Sequence, residues 1–141
     1  MRLLFDTNVV LDVLLNRQPW VSEASQLWQA IDDGKVAGYM AASAMTDIFY
    51  VARRIADWEA AHSAVRVCLE AFEICPVDRK TLELAAKLSG KDFEDNLQIA
   101  CADLASLHAI VTRDTSDFTD SRLTILTPAE ALAQLASDPS Q

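Results

Sequence analysis

Soft metal ligands are scarce in this chain, which has only two histidines and three cysteines in 141 residues. His62 and His108 belong to no HxxxH or HExxH pattern, and Cys68, Cys75 and Cys101 lack CxxC spacing and lie among apolar residues. Zinc catalysis and a disulfide framework are therefore disfavoured, and the cysteines read as buried thiols. Glycine (three) and proline (four) are also rare while hydrophobic residues reach 51%, the balance of a helix-rich globular chain rather than a disordered one. No apolar run approaches the roughly 18 residues of a membrane span. Asp6 and Asp12 interrupt the one N-terminal stretch that resembles a signal peptide, so a cytoplasmic protein with no membrane partner is expected. Positive charge is short as well. Twelve Lys and Arg against 21 Asp and Glu leave a net charge of −9, which argues against broad DNA binding unless cations and local basic residues reverse the field.

The length suits one domain, expected over residues 1–136 with a frayed tail at 137–141. Arg2 to Phe5 reads as a short buried strand, followed by helical spacing in Val9, Val10, Val13 and Leu14 up to the break at Pro19. A helix over Trp20 to Ile31 precedes a strand at Ala37 to Met40. Ser43 is then placed to cap a helix whose stripe is Ala44, Ile48, Val51 and Ile55, with Asp47 on its edge. Asp57 caps a helix carrying Trp58, Ala61, Val65, Leu69 and Phe72, and Glu73 to Cys75 makes a third strand. Asp78 caps a helix ending near Gly90, and Asp92 to Asp95 open a largely uncharged helix reaching about Leu107. Ala109 to Thr112 and Leu123 to Leu126 supply two more strands. Thr127, Pro128 and Glu130 form a capping box for a last helix over Ala129 to Ala136. Strands alternating with helices and no repeat predict an α/β/α sandwich with a four- or five-stranded parallel sheet.

Acidic residues fall where these strands end or helices begin. Asp6 follows the first strand, Asp47 and Asp95 lie in first helical turns, and Asp114 and Asp117 follow the Ala109 strand. Parallel α/β folds gather ligands at the carboxyl ends of their strands. Two carboxylates about 4 Å apart repel by roughly 4 kcal/mol at an effective dielectric near 20, so converging acids need a cation or raised pKa values. A hard divalent ion is the ordinary partner.

Three segments, LLFDTNVVLD, DFEDNLQIACA and IVTRDTSDF, resemble in order and spacing the successive motifs of the PIN domain ribonucleases, which include the VapC-type toxins of bacterial toxin–antitoxin pairs. The resemblance spans residues 2–136. It implies an endoribonuclease dependent on Mg²⁺ or Mn²⁺ and acting on RNA, and, for a toxin, a protein antitoxin and a homodimer. Asp6 matches the first metal-binding acid, with Thr7 and Asn8 as the polar residues beside it. Asp47 stands where the family usually carries Glu, one methylene shorter. Asp95 matches the third acid, and Asp114 and Asp117 compete for the last. Asn8 and Thr112 are expected to orient ligands, and Arg113, Lys91 and Lys87 to contact phosphates.

Plainer readings stand beside these. Aspartates at helix starts are common as caps, the preferred reading for Asp57, Asp78 and Asp92. Asp12 likewise stays outside the site as a helix-surface or supporting group. Trp20 and Trp28, eight residues apart, are expected to pack in the core rather than stack on bases. Arg53 and Arg54 read as a solvated helix face or a partner surface. Rival functions are an aspartyl-phosphate phosphatase with Asp6 as nucleophile, which resembles the haloacid dehalogenase group but has Asn8 where that pattern needs Asp, and a non-catalytic interaction module, PIN-like or receiver-like.

Overall fold

The computed structural model describes residues 1–118 and 123–138. Leu3, Leu4 and Phe5 are an unbroken apolar run because their strand is covered on both faces. This strand, β1 (Arg2–Phe5), leads into α1 (Thr7–Leu14) and α2 (Val21–Asp32), then β2 (Ala37–Ala41), α3 (Ala44–Ile55), α4 (Trp58–Ala71) and β3 (Glu73–Cys75). There follow α5 (Arg79–Lys87), α6 (Phe93–Leu104), β4 (Ala109–Val111), a 3-10 turn (Thr115–Asp117), β5 (Thr124–Leu126) and α7 (Pro128–Ser137). The five strands are parallel in the order β3-β2-β1-β4-β5, the larger of the two expected sheets. The expected tail overlaps the last helix at Ser137, and residues 139–141 lie outside the described residues.

Alternation along the strands assigns the two cores. Leu3, Phe5, Met40, Ala109 and Val111 face a cluster with Val9, Val10, Leu27, Ile48, Ala61 and Leu135 from α1, α2, α3, α4 and α7. Leu4, Ala41 and Ile110 face the other way, against Ile99, Cys101 and Ala102 of α6. α5 leans on α6 through Ala85, Leu97 and Ala100. Truncating a fully buried residue such as Leu4 or Ile110 to alanine carries a cost of about 2–5 kcal/mol. Gly38 of β2 lies so close to the first layer that a Cβ there would stand 2.5 Å from Ile31 Cδ1 and 2.9 Å from Phe72 Cδ1.

Caps form where the side chains are right for them. Asp57, Asp78 and Asp92 accept from the backbone N–H groups of Ala60, Thr81 and Asp95, and Thr127 with Glu130 completes its capping box. Ser43 departs from expectation: it already has helical dihedrals and makes no side-chain cap. The faces of α3 and α4 also differ from the sequence reading. Ile55, Trp58 and Leu69 are more than half exposed, and the buried positions are Ala44, Ile48 and Ala52 of α3 and Ala61, Ala64 and Cys68 of α4. Large side chains also meet between the two helices, Phe49 of α3 lying against Trp58 and His62 of α4. Trp28 packs in the core, edge-on to Phe72 with ring centroids 5.0 Å apart, but Trp20 is partly exposed at the start of α2. Among the described residues no helix is long and apolar enough to cross a membrane.

Candidate active site

The strand order turns at β1, which has β2 on one side and β4 on the other, so the α-helical connections leave in opposite directions and open a crevice above the strand ends. Asp6 sits at its base. It follows Phe5, and its backbone N–H donates to the carbonyl of Val111 at the end of β4 (2.9 Å). A capping role for its side chain is excluded, because no cap hydrogen bond is made to α1. Instead both carboxylate oxygens are held from distant parts of the chain. Gln98 Nε2 donates to Oδ1 (2.8 Å) and Thr112 Oγ1 donates to Oδ2 (2.7 Å), all three residues being buried. These donors are neutral, so the carboxylate plane is fixed without cancelling its charge.

The other acids arrive from three segments: the start of α3, the start of α6 and the loop after β4. Asp95 lies in the first turn of α6, and its pKa is pushed up to about 6 by burial and then by the charges of Asp92, Asp6, Asp117 and Asp114. Asp117 is raised by desolvation and by Asp114, Asp6 and Asp92. Asp47, from the first turn of α3, reaches the group through Glu94. A hydrogen bond to Asp47, then burial and the charges of Asp47, Asp92 and Asp6, push Glu94 up to about 7. A hydrogen bond between two carboxyls requires a proton on one of them, which is the direction in which Glu94 is shifted. Asp114 turns one oxygen back into its own loop, accepting from the Ser116 amide (3.2 Å) and hydroxyl (2.6 Å). Asp6, Asp95, Asp114 and Asp117 thus act on one another's charge, and Asp47 joins them only through Glu94. Among the described residues, no three His, Cys, Asp or Glu side chains form a ready-made metal cage.

The polar neighbours have separate tasks. Asn8 Oδ1 accepts from the Arg113 amide (3.5 Å), tying the loop after β4 to α1, and Thr7 Oγ1 is buried with no hydrogen-bond partner among the described residues. Thr112 also receives the Asp114 amide (3.3 Å). Arg113 faces inward: its Nε is 2.9 Å from Asp12 Oδ2, an ion pair too poorly aligned for a hydrogen bond, and its guanidinium lies 3.9 Å from the centre of the Trp20 ring. Arg17 Nε donates to the other Asp12 oxygen at 2.9 Å. Lys87 and Lys91 stay exposed, on the last turn of α5 and in the loop before α6.

Gln98 and Glu94 are functional candidates that sequence reasoning missed. The available signal was a glutamine three residues after Asp95 in a helix whose only charged residue beyond Asp95 is Asp103. Glu94, one turn before Gln98, carried no signal beyond its place among neighbouring acids.

Several solved structures share this fold. FitAcB from Neisseria gonorrhoeae superposes with a TM-score of 0.68 at 20% identity, over 90% of this chain and 98% of that one. A toxin–antitoxin complex from Klebsiella pneumoniae gives 0.67 at 23% identity over 89% and 96%. VapC20 of Mycobacterium tuberculosis, described as a sarcin–ricin loop cleaving toxin, gives 0.67 at 14% identity over 82% and 92%. Among curated proteins none matches the chain. With a parallel sheet in this order and acids gathered at its switch point, and with a sequence model of the PIN domain matching residues 2–116, the chain belongs to the PIN domain family.

Proposed function

We propose that the protein is a metal-dependent endoribonuclease, hydrolysing RNA phosphodiester bonds with the acid group above β1 and β4. The observation that carries the reading is the treatment of Asp6: buried, locked by Gln98 and Thr112, and, among the described residues, paired with no cation while other acids act on its surroundings. Such a donor set, all hard oxygens with unbalanced charge, fits Mg²⁺ or Mn²⁺. The buried Thr7 hydroxyl beside Asp6, without a hydrogen-bond partner among the described residues, offers a further oxygen to the hydration shell of such an ion.

Asp6 and Asp95 would hold the ion. Asp47 would act with Glu94, whose longer side chain supplies the reach that Asp47 lacks. Asp117 is favoured over Asp114 as the last acid, since Asp114 is already engaged with Ser116. When bound, the cation supplies an activated water and charge stabilisation at the phosphodiester. Gln98 and Thr112 keep Asp6 in one orientation throughout, and Asn8 holds the loop that presents Asp114 and Asp117.

A toxin role, with a protein antitoxin as partner and a homodimer as the working form, is supported by structural neighbours that are themselves complexes such as VapBC and FitAB. The test is incubation with single-stranded and structured RNA and with a phosphatase substrate, in Mg²⁺, Mn²⁺ or chelator. RNA cuts that need metal and vanish in Asp6→Asn are expected. Phosphate release without RNA cleavage would instead assign the site to an aspartyl-phosphate phosphatase.

A further inference from the structure

Asp47, Tyr50 and Arg54 lie at i, i+3 and i+7 of α3, one stripe of the helix that starts at the acid group and runs about 10 Å along the axis. Tyr50 is 55% exposed. Together with Arg53 and Arg54 it lines a recess of about 340 Å³. Arg53 is anchored there, its guanidinium 3.8 Å from the centre of the Trp58 ring, and Phe49 braces Tyr50 edge-on at 5.2 Å. Arg54 is exposed and makes no ion pair among the described residues.

We infer that this stripe is the track for single-stranded RNA leading from the scissile phosphate, Tyr50 stacking an unpaired base and Arg53 and Arg54 contacting the adjoining phosphates. The inference rests on the ribonuclease reading above and specifies how the substrate reaches that site. Three observations select RNA over a protein occupant. The stripe is continuous with Asp47, so a strand lying on it passes into the acid group. The recess along it carries two guanidinium groups on a chain of net charge −9, where a polyanion needs a local cationic approach. Its chemistry, one exposed aromatic face beside two guanidinium groups, is that of sequence-tolerant single-strand binding. A duplex would keep its bases stacked on each other and out of reach of Tyr50.

The test uses full-length protein carrying Asp6→Asn, so that bound RNA stays intact, and a fluorescent single-stranded oligonucleotide. Tyr50→Ala is expected to weaken binding about 5- to 100-fold, the range for loss of one base–aromatic stack, while Tyr50→Phe retains it. Arg54→Ala should lower the slope of log affinity against log salt by about 0.7. Thermal unfolding of each variant, expected to be unchanged at these exposed positions, separates binding from folding. Equal RNA affinity in all variants overturns the inference, as does unchanged RNA affinity with a loss of self-association in the ultracentrifuge, which assigns the stripe to a protein partner. Absence of RNA cleavage by the wild-type protein strikes the ribonuclease reading instead, and the binding series still decides the stripe.

Discussion

Two aspartates six residues apart, one just before α1 and one within it, meet opposite fates. Asp12 is fully buried and lies between Arg17 and Arg113, both at 2.9 Å, with Arg113 further backed by Trp20. Asp6 is also buried, yet among the described residues its side-chain partners are an amide and a hydroxyl, and the charges coupled to it are those of other acids. Burying a carboxylate is costly unless its charge is met. At Asp12 the protein meets it internally and gains a brace joining α1 to the loop after β4. At Asp6 the balance is left open, which is the arrangement expected of a group that works on a cation from outside.

The contrast can be broken from either end. The largest effect is expected from Asp12→Ala, which strands two arginines and should cost about 3–5 kcal/mol in denaturant unfolding. A cost below about 1 kcal/mol would mean that the pairing is idle. Asp6→Asn is expected to do the reverse, keeping the fold while reducing metal-dependent RNA cleavage by more than about 100-fold, since even groups that only support a metal ligand change function by 10- to 100-fold. Unchanged turnover would remove Asp6 from the chemistry.

A smaller change sharpens the comparison. Gln98→Leu preserves volume but removes the donor to Asp6 Oδ1, and Mn²⁺ affinity measured by calorimetry should fall about 10-fold with little loss of stability. Equal affinity would show that Thr112 alone suffices. The smallest effect is the dependence of stability on pH. Glu94 at about 7 and Asp95 at about 6 stand above their ordinary values of 4.5 and 3.8, so between about pH 4 and 7 the folded state binds protons that the unfolded chain has released. Stability of the metal-free protein must therefore fall as pH rises through that window. Saturating Mn²⁺ should flatten the fall by replacing the protons. A melting temperature flat over this range without metal would show that the acids do not repel one another.

Much of the fold was legible because its signals are local. The strand at Arg2–Phe5, the caps at Asp57, Asp78 and Asp92, and the Thr127 box each need only neighbouring residues to form. The α3 and α4 faces were misread because helical spacing cannot say whether a neighbouring helix packs against the large residues or the small ones. Here Ala52, Ala61, Ala64 and Cys68 are the buried positions and Ile55, Trp58 and Leu69 stay more than half exposed.

The sequence by itself determined an α/β chain of the PIN domain family, with acids at strand ends and helix starts and too little positive charge for general polyanion binding. Only the tertiary structure decided which acid is compensated and which is not. Gln98 and Thr112 meet Asp6 across 92 and 106 residues, Glu94 meets Asp47 from another helix, and Arg113 turns towards Asp12. Such pairings follow from how helices lie across the sheet. Carboxylate energetics depend on burial and on charges within a few ångströms, quantities that chain order alone does not contain.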